Sequence, residues 1–172
     1  MLIEPISRSH NRKRFDCGDE EVTHFLREQA VQDQEKDLSR TMVLINEQGE
    51  ATRILGYHTL VLAQVRQDEI PDDRPRIKRP ILVILLGQLG IDIEFQGRGY
   101  GEMMLMDAQA RVDEISRKTG VRALMLDARN ETLARWYERY DFIRFPGQFR
   151  MFKSIKAIRA LKLIGSCRRL MI

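Results

Sequence analysis

Six consecutive residues could do chemistry through their backbone alone: Gln96-Gly97-Arg98-Gly99-Tyr100-Gly101. Glycines at alternate positions let the chain turn tightly and aim successive N–H groups into one concavity, the arrangement that holds an anion. The stretch follows an apolar strand pattern and opens a helical one, so the positive end of the helix adds to that field. Arg98 can supply a charge-assisted contact. The chemistry this suits is the cradling of a pyrophosphate. A Rossmann loop needs G-x-G-x-x-G and a Walker loop ends in Gly-Lys-Ser/Thr, and this loop has neither. As a bare turn, three glycines at the mouth of a helix would be a costly choice.

A second element stands downstream, Asn130-Glu131-Thr132-Leu133-Ala134-Arg135-Trp136-Tyr137-Glu138-Arg139-Tyr140-Asp141-Phe142. With it the chain resembles the GNAT superfamily of acyl-CoA-dependent N-acyltransferases. The loop matches the family's Q/R-x-x-G-x-G/A signature at Gln96, Gly99 and Gly101. The downstream segment matches its N-x-x-A-x-x-hydrophobic-Tyr-x-x-x-Gly-Phe helix in length, with the alanine one position late. Asp141 stands where the family usually has glycine, and Asp tolerates left-handed backbone better than most residues.

The resemblance covers roughly residues 1–153 and implies acetyl transfer from acetyl-CoA to an amine. By that resemblance Gln96, Gly97, Arg98, Gly99, Tyr100 and Gly101 hold the CoA pyrophosphate. Backbone groups of Leu89, Gly90 and Ile91 run beside the pantetheine arm, and an N–H nearby stabilises the developing oxyanion. Asn130 helps to hold the arm. Tyr137 lines up with the tyrosine that protonates the departing CoA thiolate, a transfer that suits a phenol of ordinary pKa near 10. The bland alternative for Tyr137 is a core tyrosine beside Trp136. No general base is identified: Asp92 and Glu94 lie near the strand end, where acids often cap loops, and a water can take the amine proton.

The first half narrows the acceptor. Arg14-Phe15-Asp16-Cys17-Gly18, Phe25-Leu26, Gln29–Asp33, Ser39–Leu44, Leu55–Leu60 and Leu86–Asp92 resemble GNAT toxins of the TacT type. Such toxins acetylate the α-amine of aminoacyl-tRNA and are restrained by a ribbon-helix-helix antitoxin. The resemblance therefore implies acetyl-CoA, aminoacyl-tRNA and an antitoxin as partners, with a homodimer common in the family. It also implies a basic surface for the tRNA, for which Arg40, Arg66, Arg74, Arg76, Lys78, Arg79 and the C-terminal tail are candidates. Two departures bear on the acceptor cleft: the chain continues from Phe152 to Ile172, and the last hairpin, Phe145–Phe149, is short. An enzyme acting on a small amine or a protein N-terminus is the main alternative. A non-catalytic acyl-CoA-binding module is a further one, which the retained glycines and tyrosine disfavour.

These residues need a scaffold, and the hydrophobic periodicity supplies one. Leu2–Ile6 reads as a strand. Asp19 caps a helix with Val22, Phe25, Leu26 and Ala30 on one face, running to about Leu38. Thr41–Asn46 and Ile54–Val65 read as strands joined through a turn at Glu47–Glu50. Asp68–Pro80 is a Pro- and charge-rich loop. Pro80–Asp92 is a strand in which Gly87 and Gly90 point to a bulge or close backbone approach. A helix with Met103, Met104 and Met106 as core filler ends at Gly120. Val121–Asp127 is a strand, Asn130–Tyr140 a helix, and Phe142–Phe145 with Phe149–Phe152 a final strand pair. The order gives an α/β (α+β) fold, a mixed sheet covered by helices. The resemblance makes it the GNAT fold, with a mostly antiparallel twisted sheet.

Composition agrees with this scaffold. At 172 residues, 43% hydrophobic and 31% charged, the sequence describes a globular domain with a real core. No apolar run reaches the ~20 residues of a membrane span, and Met1–Pro5 lacks the pattern of a signal peptide. Cys17 and Cys167 match no metal or redox spacing, so a reduced, cytoplasmic setting without a metal is expected. His10, His24 and His58 stand apart from any carboxylate or second ligand at a telling spacing. The net charge of +4 is uneven: from Arg150 onward Arg150, Lys153, Lys156, Arg159, Lys162, Arg168 and Arg169 face no acid. The helical stretch Ser154–Ile164 within this tail admits RNA, an antitoxin or a membrane interface, and equally a frayed, solvated terminus.

Overall fold

The structure, a computed structural model, describes residues 1–50, 52–66 and 80–160. The elements follow the expected order. β1 (Leu2–Pro5) leads to α1 (Glu20–His24), a π-helical turn (Phe25–Gln29) and α2 (Ala30–Glu35). β2 (Arg40–Ile45), β3 (Ile54–Val65) and β4 (Ile81–Ile91) come next, then α3 (Tyr100–Lys118), β5 (Val121–Asp127), α4 (Glu131–Glu138), β6 (Ile143–Arg144) and β7 (Arg150–Ser154). The seven strands form one sheet in the order β1-β2-β3-β4-β5-β7-β6. β4 runs parallel to β5, while β1 with β2, β2 with β3, β5 with β7 and β7 with β6 are antiparallel, so the sheet is mixed. The chain divides into two compact units, Met1–Val61 with Leu86–Ala108, and Leu62–Leu85 with Gln109–Ile172.

In the first unit β1, β2 and β3 pair antiparallel, from Leu2↔Ile45 to Arg40↔Leu60. Asp19 caps α1 as expected, its carboxylate accepting from the Val22 N–H at 3.0 Å. The single helix expected here is interrupted by the π turn, which keeps Val22, Leu26 and Ala30 on the buried face. The helix closes at Asp37, whose φ of 59° supplies the left-handed residue after the last turn. That face packs with Ile6, Phe15, Val43, Ile45, Ile54 and Tyr57. A second cluster joins Met42, Leu44, Leu55, Ile91 and Met104.

In the second unit the parallel pairs of β4 with β5 run from Leu82↔Val121 to Leu85↔Met125. β7 lies antiparallel between β5 and β6. Ile81, Val83, Ala123, Met125, Phe145 and Phe152 form its core. Residues 155–160 are helical, and Ile155 and Ile158 are buried.

Three expectations are revised. Of the three methionines read as core filler only Met104 is buried, while Met103 and Met106 are 40% and 37% exposed. α3 ends at Lys118, two residues before the expected stop at Gly120. The tail is less free than its charge suggested. Lys153 is fully buried, Arg150 pairs with Asp127 at 2.9 Å, and Arg159 pairs with the buried Asp113 at 3.0 Å. Arg74, Arg76, Lys78, Arg79, Lys162, Cys167, Arg168 and Arg169 lie outside the described residues.

Candidate active site

The loop is built by the end of β4. Asp92, 2% exposed, caps a short 3₁₀ turn (Ile93–Phe95) by accepting from the Glu94 N–H at 3.0 Å. Its other oxygen accepts from the Asp16 N–H at 3.4 Å, and Arg53 lies 3.8 Å away. Asp92 is thus a cap, the bland role foreseen for it, and Glu94 is held by Arg53 at 2.8 Å. Gln96 then ties the loop down: its side-chain amide donates to the carbonyls of Ile91 at 2.9 Å and Cys17 at 3.0 Å. The Arg14–Gly18 segment therefore braces the loop, a role that its sequence separation hid.

Beyond Gln96 the backbone turns through Gly97 and Gly99, with φ of 75° and 80°. A Cβ on either glycine would meet nothing within 4 Å. Left-handed backbone therefore requires these two glycines, and they leave open space above it. Gly101 differs, lying in the first turn of α3 without positive φ. The Met103 N–H reaches the Gly99 carbonyl at 3.1 Å, so the amides of Tyr100, Gly101 and Glu102 precede the first intrahelical bond. Such amides at a helix N-terminus suit a phosphate. Arg98 is turned back on its own turn: it donates to the Glu94 carbonyl at 3.1 Å and lies 5.2 Å from the Phe95 ring centre. Arg53 sits 4.7 Å from the same ring, a pairing no sequence signal announced.

Leu89 and Ile91 turn their side chains to the cluster around Met104, so their backbone is what they can offer a ligand. Gly90 answers the expected close approach. A Cβ there would lie 2.9 Å from Val22 Cγ1 and 3.1 Å from Tyr57 Cε1. Gly87 has ordinary room. The resulting loop could hold the pyrophosphate of a CoA thioester, as the open space and ordered amides fit that group.

Asn130 and Tyr137 belong to the second unit. Asn130 is exposed and caps α4, its Oδ1 accepting from the Leu133 N–H at 3.0 Å. Tyr137 is 7% exposed, with its ring 4.9 Å from Trp136 and 5.6 Å from Phe142. Burial pushes its phenol well above the ordinary value, so the proton stays on. The match to a thiolate is therefore looser than an unperturbed phenol would give. Asp141 takes φ of 61°, the left-handed backbone expected where the family has glycine.

Two histidines gain partners that spacing did not show. His10 is buried with its Nε2 2.9 Å from Glu4, and His58, fully buried, has its Nε2 2.7 Å from Asp107. His24 is exposed. Neither pair includes a residue of the loop.

Fold and sheet order define a GNAT-fold protein. No family model matches the sequence. The chain is 28% identical over 138 residues to a tRNA-acetylating toxin of Mycobacterium tuberculosis, covering 80% of this chain and 81% of that protein. It is 27% identical over 173 residues to a probable toxin TacT of Sinorhizobium fredii, covering 93% and 94%. Among solved structures it resembles AtaT complexed with acetyl-methionyl-tRNAfMet, at TM-score 0.83 and 26% identity over 93% of this chain and 98% of that one. A Tyr→Phe mutant of AtaT bound to the C-terminus of the antitoxin AtaR and acetyl-CoA is similar at TM-score 0.78 and 27% identity, over 93% and 96%. Among the described residues no helix is long and apolar enough to cross a membrane.

Proposed function

We propose that this protein is an acetyl-CoA-dependent N-acetyltransferase and a toxin that acetylates the α-amine of aminoacyl-tRNA. The observation that carries the donor side is the pair of open, left-handed glycines, Gly97 and Gly99, feeding the N-terminus of α3. The acceptor class rests on the likeness to the tRNA-acetylating toxin and to AtaT with its acetylated tRNA. Such a protein works in the cytoplasm, under restraint by an antitoxin. Residues 1–153 make up the acyltransferase domain, and 154–172 extend it with a basic tail.

Bound acetyl-CoA supplies an acetyl group activated as a thioester. The amides of Tyr100, Gly101 and Glu102 hold the phosphates, with the helix dipole behind them. Gln96 fixes the loop rather than touching the ligand. The backbone of Leu89, Gly90 and Ile91 pairs with the pantetheine arm in strand fashion, and the side-chain amide N–H of Asn130 is left to donate to it. Tyr137 keeps its phenolic proton for the departing sulfur; burial holds the oxygen protonated and makes the phenol a weaker acid than an exposed one. Water takes the proton of the attacking amine, since Asp92 is committed as a cap.

Labelled acetyl-CoA incubated with mixed charged tRNA tests this reading, with uncharged tRNA and free amines as controls. Label on charged tRNA alone is the expected result. Label on free amines alone would overturn the acceptor assignment and leave the donor site standing.

A further inference from the structure

We infer that Lys153 is a positioning residue for Tyr137, clamping the turn that follows α4; the inference rests on the proton-donor role proposed above for Tyr137. Lys153 lies on β7, fully buried, and its ammonium addresses three consecutive residues of that turn. Nζ donates to the Tyr140 carbonyl at 2.6 Å, lies 3.8 Å from the Asp141 carboxylate, and stands 5.8 Å from the centre of the Phe142 ring.

The same turn is latched to Tyr137. The Tyr137 carbonyl accepts from the Tyr140 N–H at 2.9 Å and the Phe142 N–H at 3.4 Å. The rings of Tyr137 and Phe142 pack edge to face at 5.6 Å. A shift of the turn therefore moves the phenol. Left-handed backbone at Asp141 costs more than it would at glycine, although Asp bears it better than most residues, so contacts that hold the turn steady it. Lys153 provides that hold, through the carbonyl before Asp141 and through its carboxylate. Burial lowers the ammonium pKa and Asp141 opposes that fall. A lysine kept in so dry a place needs such partners.

The test compares Lys153→Met, Asp141→Gly, their double variant and Tyr137→Phe in the full chain. Methionine fills the space of the lysine stem without its charge. We expect Lys153→Met to lower kcat about tenfold or more, the scale at which small misplacements act, with KM for acetyl-CoA changed less than about twofold. Trp136 is the one tryptophan and lies 4.9 Å from the rings of both Tyr137 and Tyr140. Its emission should shift in Lys153→Met. Asp141→Gly should restore both signals in the Lys153→Met background, because glycine holds left-handed backbone without a clamp.

Unchanged kcat and unchanged Trp136 emission in Lys153→Met would overturn the inference, as would a double variant no better than Lys153→Met. If Lys153→Met does not fold, the double variant measured against Asp141→Gly gives the same comparison. If Tyr137→Phe keeps full kcat, the proton-donor reading falls by itself, and Trp136 emission alone decides the clamp.

Discussion

At Gly97 and Gly99 the chain turns through left-handed backbone with open space around it; at Asp141 it does so over a buried ammonium. The first place uses glycine, and any side chain there would occupy the room a ligand needs. The second uses an exposed aspartate, with Lys153 holding the carbonyl before it and the rings of Tyr140 and Phe142, its chain neighbours, packed on Trp136 and Tyr137. One region is built to be filled from outside and the other to stay where it is. In the function proposed above the first would receive the charged donor on amides already in place, and the second would hold a proton steady.

Gly99→Glu breaks the open side of this comparison and should have the largest effect. Its carboxylate would enter the space above the loop and repel phosphate, on backbone that an L-residue already resists. Acetyl-CoA binding, measured by calorimetry, should vanish while the melting temperature falls by only a few degrees, the cost of about 1–2 kcal/mol of backbone strain. Retained binding would remove the loop from the donor site.

Tyr137→Phe probes the fixed side. Loss of a general acid typically costs on the order of 10²–10⁴-fold, and the fall should appear in kcat with KM for acetyl-CoA little changed. The burial of Tyr137 has its own readout. Tyr137 should not ionise near pH 10 in the native state, because desolvation penalises its phenolate. A spectrophotometric titration of native against denatured protein, with Tyr137→Phe as reference, checks the assignment. A phenol that ionises normally would mean water reaches it freely.

Gly90→Ala tests whether the strand leading to the loop is as closely packed as the loop is open. The new methyl would crowd Val22 and Tyr57, a loss of about 1–3 kcal/mol by overpacking. Chemical denaturation measures it. No loss would mean that α1 can give way.

The open side was far more legible in sequence than the fixed one. Gln96–Gly101 announces itself because glycine spacing and backbone geometry are local, and the strand and helix that flank it follow from periodicity. Even there, glycine spacing does not show that Gly101, unlike Gly97 and Gly99, stands in helical backbone. Asp141 could be read as left-handed because its neighbours matched a family pattern. Its clamp could not be read: Lys153 sits in a run of basic residues that looks solvated, and only the pairing of β7 with β5 and β6 buries it. His58 and Asp107 failed the spacing test for the same reason, being 49 residues apart. The π turn left no signal, since Val22, Leu26 and Ala30 keep a helical spacing through it.

Asn130 has two separable roles to test and the smallest expected effect. It is a structural cap through Oδ1 and, in the proposed site, a ligand donor through its other amide atom. Asn130→Ala removes both and should cost about 1 kcal/mol of stability through the lost cap. Asn130→Asp keeps an acceptor for the Leu133 N–H and adds charge favourable to the helix N-terminus, so stability should hold or rise slightly. What aspartate loses is the N–H donor. KM for acetyl-CoA should therefore rise severalfold in both variants while stability falls in only one. If KM rises only in the alanine variant, Asn130 acts on the donor through helix geometry alone, and α4 contributes fixed packing with no direct hold on the ligand.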